Sequence, residues 1–238
     1  MTRRVVGEAA YLLHARPYRE TSGLLEILTE RYGRISCVGR GLRGSRRAQA
    51  PVPFVRMRVG FGGRSALLTW TGFEVEARHE LEGRALFSGL YLNELMLRVL
   101  RNDDPHPSVF AGYERTLGEL AANGDLEAPL RRFEKLLLRE CGYEVTFDTD
   151  AETGEAIDAA ATYRFTPDLG FSRCDESADG ARTFLGATLL GIQCDDYADQ
   201  RVRRAAKRIL RRALEPHVGE RPLVSRELFR RAPAKAPG

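Results

Sequence analysis

The spacing of apolar residues changes near residue 80, and this change constrains the fold more than any other feature of the sequence. Before it, short β-rich segments follow one another with turns between them. In one of them, Val55, Met57 and Val59 fall on one face of a strand. Five such segments in about 75 residues predict a small closed barrel, because closure removes the edges that an open sheet would expose. The segments lie within residues 5–15, 23–29, 30–40, 54–63 and 65–77.

From Arg84 onward the apolar residues recur at helical spacing. Helices are predicted within residues 84–101, 105–124, 125–142 and 195–219. We expect the last of these to be capped by Asp195 or Asp196 and to end at Pro216 and Gly219. An irregular insert at about 148–180 contains one predicted hairpin, since "TPDLG" is a typical turn sequence. The expected fold class is therefore α+β, with a barrel domain over residues 1–80 and a helical domain over residues 81–238.

The cysteines and the N-terminus argue against several classes of protein. Cys37, Cys141, Cys174 and Cys194 include no CxxC pair, so neither a disulfide framework nor a zinc site is indicated. No run approaches 18 consecutive apolar residues, and Glu8 interrupts the first apolar stretch. We expect a soluble, cytoplasmic protein without a metal or another cofactor.

The net charge of +4 conceals a strong asymmetry along the chain. Residues 1–64 carry a net charge of +9, residues 65–194 of −11, and residues 195–238 of +6. Such separation bears on partners rather than on fold, and the two basic ends predict an anionic partner.

The segment "GRGLRGSRRAQAP", residues 39–51, is the most basic loop of the predicted barrel. Its glycines match the GxGxxG spacing, but a dinucleotide site needs a helix directly afterwards, and here Pro51 and a strand follow. We expect a mobile loop that contacts phosphates, because loops of small five-stranded barrels bind oligonucleotides. The alternative is a solvated basic loop. The expected DNA-binding residues are Arg34, Arg40, Arg43, Arg46, Arg47, Arg56 and Arg58.

Residues 201–212, "RVRRAAKRILRR", hold seven basic residues and no acid. Val202, Ala206, Ile209 and Ala213 form an apolar stripe on an amphipathic helix, which leaves the cations outside it. A solvated charged face and a membrane-surface helix are alternatives, but the stripe lacks the bulky Trp and Phe of interfacial helices. Nucleic acid or an acidic protein partner fits this helix better.

In residues 130–143 an apolar stripe of Leu130, Phe133 and Leu137 lies beside several cations. The stripe is expected to belong to the core. Its cationic rim can receive an acidic peptide that ends in apolar side chains.

The sequence gives little support to catalysis. The four histidines are isolated, and no GxSxG, HxxxH or recognisable carboxylate pair occurs. Asp195, Asp196 and Asp199 suit a helix N-terminus better than a metal site. We therefore expect a protein that is not an enzyme.

Five segments taken together resemble one family, the bacterial recombination mediator RecO. They are "HARPYRETSGLLEILTERYGRISCVGRGLRGSR" (14–46), "FSGLYLNELMLRVL" (87–100), "LRRFEKLLLRECGYEV" (130–145), "TYRF" (162–165) and "RPLVSRELFRR" (221–231). The resemblance implies an OB-fold barrel, a helical C-terminal domain, binding to single- and double-stranded DNA, strand annealing and association with the nucleoid. It also implies cooperation with RecR and contact with single-stranded-DNA-binding protein, so that RecA can load.

The resemblance further implies where a partner binds. In the family, the acidic, apolar-ended tail of single-stranded-DNA-binding protein docks on the helical domain, at the position of "LRRFE". The expected tail-binding residues are Arg131, Arg132, Phe133, Leu137, Arg204 and Arg208. Some relatives carry a four-cysteine zinc site that this sequence lacks, so packing is expected to hold residues 148–180 together. The alternatives are an OB-fold module that handles RNA or DNA without recombination partners, and a nuclease, for which no carboxylate cluster is found.

Overall fold

The computed structural model describes residues 3–42, 50–122, 124–174 and 182–231. Its first five strands are β1 (Arg3–Tyr18), β2 (Ser22–Thr29), β3 (Gly33–Gly39), β4 (Val55–Gly63) and β5 (Leu67–Arg78). They form a closed barrel in the order β1-β2-β3-β5-β4. The pairs are antiparallel except β3 with β5, where Ser36–Val38 run parallel to Leu67–Thr69. The predicted five-stranded barrel is therefore confirmed.

The alternation in the sequence builds the barrel interior. Val55, Met57 and Val59 are buried on β4, and Leu68 and Trp70 are buried on β5. They belong to one apolar cluster with inward residues of β1, β2 and β3. Because successive strand residues face opposite sides, the same register turns Arg56 and Arg58 to the outside of the barrel.

Six helices follow in the described part of the chain, and those predicted from periodicity lie close to their expected positions. Sequence periodicity missed two short helices, Gly186–Gln193 and Val224–Arg231, and the three-residue strand Thr183–Leu185. The helices are α1 (Gly83–Val99), α2 (Pro107–Ala121), α3 (Glu127–Glu140), α4 (Gly186–Gln193), α5 (Gln200–Val218) and α6 (Val224–Arg231). A second sheet, in the order β7-β6-β8, is formed by β6 (Thr162–Thr166), β7 (Gly170–Arg173) and β8 (Thr183–Leu185).

The chain forms two compact units. The first contains Met1–Gly124 and Glu220–Gly238, and the second contains Asp125–Gly219. In the first unit, α1 and α2 cover the outer side of β1: the Tyr11 ring packs against Phe110 and Tyr113, and Asn93 donates a hydrogen bond to the Leu13 carbonyl. The first unit therefore joins the barrel to the first two helices and to α6.

In the second unit, the cap predicted for α5 is wrong. Asp199, rather than Asp195 or Asp196, is the N-cap, and its carboxylate accepts a 2.7 Å hydrogen bond from the Arg201 amide. Asp195 instead accepts a hydrogen bond from the Lys135 ammonium. Pro216 lies inside the helix, which continues to Val218. An N-cap side chain usually accepts a hydrogen bond from the backbone amide two or three residues later, as Asp199 does here.

A buried carboxylate organises the insert. Asp150 accepts hydrogen bonds from the backbone amides of Glu152, Thr153 and Arg173, at 2.8, 3.2 and 3.0 Å. Burial opposes ionisation of this group, but the three amide donors outweigh it and hold the pKa of Asp150 below its ordinary value. Polar bonding thus adds to the packing expected for this segment.

Aromatic packing completes the described part of the insert. The Phe171 ring lies 5.5 Å from that of Phe147 and 5.0 Å from that of Phe165, between ring centroids. All three side chains are buried. Residues 162–173 form an antiparallel hairpin, and Asp168 and Gly170 in its turn have positive φ.

Candidate nucleic-acid interface and partner surface

The chain leaves β3 through a tight turn that requires two glycines. A Cβ atom at Gly39 would overlap the Leu42 side chain, which packs against the barrel core. Gly41 has a φ of +71°, a conformation that side chains disfavour. The first two glycines of the GxGxxG match thus shape a turn, and no helix follows them in the described residues up to Gly63.

Of the four arginines expected to contact phosphates in this loop, Arg40 is described and is exposed. Arg43, Arg46 and Arg47 lie outside the described residues. Arg40, directly after β3, is therefore the one predicted phosphate-contacting arginine of this loop whose position the structure describes.

The Arg34 side chain is engaged in contacts within the first unit rather than open to solvent. Its guanidinium donates a 3.0 Å hydrogen bond to the carbonyl of Leu97, in the last turn of α1, and lies 3.9 Å from the Glu26 carboxylate. Its side chain is 18% exposed. A cation there complements the negative end of the helix dipole. Arg34 therefore joins β3 to α1, and its expected role in DNA binding is not supported by this position.

Arg56 and Arg58 form ion pairs on the outer face of the barrel. Arg56 pairs with Glu76 at 3.0 Å and with Glu114 of α2, and Arg58 pairs with Glu76 at 2.6 Å. Hydrogen bonds from Arg58 and Arg56 lower the pKa of Glu76, although burial opposes them. The Tyr11 hydroxyl also donates to Glu114. Burial, together with this nearby carboxylate, raises the pKa of Tyr11. Two arginines thus share two carboxylates, which reduces their attraction for phosphate.

The partner residue given most weight by the resemblance, Arg131, is buried. Its Nη2 lies 2.9 Å from Oε1 of Glu134, one helical turn along α3, and the exposed fractions of these side chains are 8% and 1%. Because both charges are enclosed, an incoming peptide carboxylate has no open path to this guanidinium. The pair with Glu134 accounts for Nη2 of Arg131, whereas its Nε is buried without a hydrogen-bond partner among the described residues.

Phe133 and Leu137 are also enclosed, at 1% and 0% exposure. The expectation that they accept the apolar end of a tail is not supported, because both contribute to the core of the second unit. Arg132, which directly precedes Phe133 on α3, is half-buried.

Sequence reasoning missed the role of Lys135. Its ammonium donates to the carbonyls of Ile192 and Gln193 at the end of α4, at 2.7 and 3.3 Å, and to Asp195 at 2.8 Å. A lysine beside a helix C-terminus satisfies carbonyls that have no partner within the helix. The helical periodicity of α3 gave no signal for this contact, which joins residues 57 to 60 positions apart.

The basic helix α5 keeps its predicted two faces. Val202, Ala206, Ile209 and Ala213 are buried. Two cations at the edge of the apolar face form ion pairs with the start of α3: Arg203 with Asp125 at 3.2 Å, and Lys207 with Glu127 at 2.9 Å. The cations on the outer face that are exposed are Arg201, Arg204, Arg208 and Arg211.

A cleft of about 520 Å³ opens in the second unit. Tyr143 and His217 stack there, with ring centroids 3.6 Å apart, and burial lowers the pKa of His217. Glu144 and Asp168 also line the cleft. Their carboxylates make it a poor match for an acidic peptide.

The described residues offer neither a metal-binding cluster nor a helix that could span a membrane. Residues 3–42, 50–122, 124–174 and 182–231 contain no group of three or more His, Cys, Asp or Glu side chains placed to hold a metal ion. None of the helices in the same ranges has the length and apolar character needed to cross a membrane.

A five-stranded barrel with a parallel β3–β5 pair, followed by helices, is an OB-type architecture, and this defines a class of oligonucleotide-binding proteins. The family model described as "Recombination protein O N terminal" matches residues 1–76, and "Recombination protein O C terminal" matches residues 81–227. The chain belongs to the RecO family of DNA repair proteins.

Curated relatives support the same assignment over nearly the whole chain. Proteins named "DNA repair protein RecO" are similar at 44% identity over 223 residues in Pseudomonas aeruginosa (strain LESB58), at 42% over 229 in Cellvibrio japonicus, and at 40% over 225 in Haemophilus influenzae. These matches cover 93–95% of this chain and 94–97% of the relatives. The resemblance found in the five sequence segments is confirmed.

Proposed function

We propose that this protein is a recombination mediator that binds and anneals DNA and acts with RecR to load RecA onto strands coated by single-stranded-DNA-binding protein. The observation that carries the proposal is the match, over 93% of the chain, to proteins named DNA repair protein RecO. In this role the protein needs no catalytic residue and no cofactor, because annealing and loading depend on binding and release.

DNA contact on the first unit is assigned to the basic segment of residues 39–51. Three features support this: the segment joins two strands of an OB-type barrel, Arg40 at its start is exposed, and residues 1–64 carry a net charge of +9. By contrast, Arg34, Arg56 and Arg58 are engaged in contacts within the first unit. We therefore give Arg40, Arg43, Arg46 and Arg47 the main role in binding phosphates.

Contact with the acidic tail of single-stranded-DNA-binding protein is assigned to the second unit. The burial of Arg131, Phe133 and Leu137 removes three of the residues expected for it. Arg132 remains as the half-buried cation of "LRRFE". We propose that the tail docks beside Arg132, and we treat the exposed arginines of α5 separately below.

The experiment that tests DNA binding is a salt titration of affinity for a labelled single strand. We compare the parent with the variant Arg40→Ala, Arg43→Ala, Arg46→Ala, Arg47→Ala. Affinity falls as the salt concentration rises, so the slope of log affinity against log salt is negative. Each phosphate contact that is lost makes this slope shallower by roughly 0.7 to 0.9, so we expect it to flatten by up to about 3. The same four positions replaced by Lys are the matched control, since Lys keeps the charge.

An unchanged slope in the Ala variant would move DNA binding away from this loop. A parent protein that binds RNA and DNA alike, and binds neither RecR nor the tail peptide, would favour the alternative of a general OB-fold module.

A further inference from the structure

The outer face of α5 carries four exposed arginines, Arg201, Arg204, Arg208 and Arg211, which we call the α5 arginine stripe. We propose that this stripe is a second binding surface for the DNA phosphate backbone, on the second compact unit and separate from the barrel segment of residues 39–51. The inference rests on the proposed function, because it concerns how such a protein holds two strands.

The spacing of the stripe suits a phosphate backbone. Its arginines are three or four positions apart, so they follow one side of the helix. From Arg201 to Arg211 the helix rises by about 15 Å, at 1.5 Å per residue. One strand of duplex DNA presents a phosphate about every 3.4 Å along its axis, so about four phosphates fall within that length. Four guanidinium groups therefore face a comparable number of negative charges.

The stripe is held on a rigid support. The opposite face of α5 is buried, and Asp199 caps the N-terminus of the helix. The ion pairs of Arg203 with Asp125 and of Lys207 with Glu127 fix α5 to the start of α3. A helix that is already formed and packed loses less conformational freedom on binding than a segment that must first become ordered.

One contact also orients a member of the stripe. The Arg208 guanidinium lies over the Phe184 ring, 4.9 Å from its centroid. Phe184 belongs to β8 and is buried, so it is a fixed platform for that cation.

The chemistry of this face favours phosphate over an acidic peptide with an apolar end. The large apolar side chains of α5 are buried and do not border the stripe on its own helix. In the described part of the second unit, the large exposed apolar residues are Tyr143, Leu169 and Leu185. None belongs to α5, and Leu185 directly follows Phe184, over which Arg208 lies. The stripe spreads four cations along about 15 Å, a length that suits a continuous phosphate backbone. The lack of exposed bulky apolar residues on α5 also argues against a membrane surface.

The two-site arrangement has a direct consequence for annealing. Two phosphate-binding surfaces on two compact units can hold two strands on one molecule. Two complementary strands held on one molecule meet each other at a raised effective concentration, which favours their pairing.

The test uses the full chain with Arg201, Arg204, Arg208 and Arg211 all changed to Ala. We bind a labelled single strand first, then measure across a salt series the binding of a second, differently labelled and non-complementary strand to the preformed complex. For the variant we expect the salt slope of second-strand binding to be shallower by up to about 3 in total, at roughly 0.7 per lost contact on a single strand. We also expect the second strand to bind at least tenfold more weakly.

Two controls separate charge from folding. The matched variant with Lys at the same four positions keeps the positive charge and is expected to retain the slope. Thermal unfolding of the Ala variant is expected to stay within a few degrees of the parent, because the four side chains are exposed and the contact of Arg208 with Phe184 contributes only modestly to stability. A third variant, Glu215→Gln, removes the exposed acid one helical turn after Arg211 and is expected to strengthen binding of the second strand.

The outcomes distinguish this inference from the proposed function. If the parent binds DNA and the barrel-loop variant behaves as expected, but the stripe variant keeps the salt slope and the second strand, the inference is overturned and the proposed function stands. Loss of acidic-tail binding without loss of DNA binding would also overturn it and assign α5 to the tail. A parent that binds no DNA overturns both.

Discussion

Replacing Arg131 distinguishes a structural from a ligand-binding role for this residue. The change Arg131→Ala leaves Glu134, which is 1% exposed, without the guanidinium 2.9 Å away. Breaking a buried ion pair by removing one partner costs about 3 to 5 kcal/mol. In a unit of this size, 1 kcal/mol corresponds to roughly 4 to 8 °C in melting temperature, so a decrease of at least about 12 °C is expected.

The double variant Arg131→Met, Glu134→Leu is the matched control. Replacing a buried pair by apolar residues of similar volume is often neutral, so most of the lost stability is expected to return. Urea unfolding of the parent, Arg131→Met, Glu134→Leu and the double variant gives the coupling free energy of the pair.

Peptide binding is measured on the same variants. The double variant, if it is folded, is expected to bind the acidic tail peptide within about threefold of the parent, because Arg131 faces Glu134 and not the surface. The reasoning is refuted if Arg131→Ala unfolds within about 1 kcal/mol of the parent and yet loses peptide binding more than tenfold.

Two further changes test the second unit. Asp150→Asn keeps one acceptor oxygen but turns the other into an amide group that cannot accept from the Arg173 amide, and it should cost about 1 to 3 kcal/mol in denaturant unfolding at pH 7. Because the folded pKa of Asp150 lies below its ordinary value of 3.8, its contribution is present above that pH and is lost as the pH falls below it, so the parent and the variant should converge in acid. Equal stability at pH 7 would contradict the role given to this carboxylate. Asp199→Ala removes the cap of α5 and should cost about 1 kcal/mol, whereas the same change at Asp196 should cost less than half of that.

Periodic patterns predicted the elements whose stability comes from one buried face. The alternation of Val55, Met57 and Val59 is enough to place β4, because each inward side chain is buried against the same core. The apolar stripe of α5 placed that helix for the same reason. By contrast, α4 is apolar on most of its surface and has two glycines, so it shows no amphipathic pattern.

The candidate site was harder to predict, because its geometry depends on pairs that are distant in sequence. Arg56 and Glu114 are 58 residues apart, and Arg34 reaches a carbonyl 63 residues away, so no local pattern reveals that these cations are engaged. The pair of Arg131 and Glu134 did have a signal, namely the i,i+3 spacing. The spacing does not reveal that the pair is buried, because burial depends on the packing of the whole second unit.

The central claim, that this protein is a mediator that anneals DNA, is tested most directly by annealing on coated strands. Complementary labelled oligonucleotides are saturated with single-stranded-DNA-binding protein, and duplex formation is followed by fluorescence transfer. We predict that this protein accelerates annealing of coated strands, and that removal of the acidic tail from the coating protein abolishes the acceleration while annealing of naked strands continues. Equal acceleration with and without the tail, or no acceleration on coated strands, would show that this protein is not such a mediator.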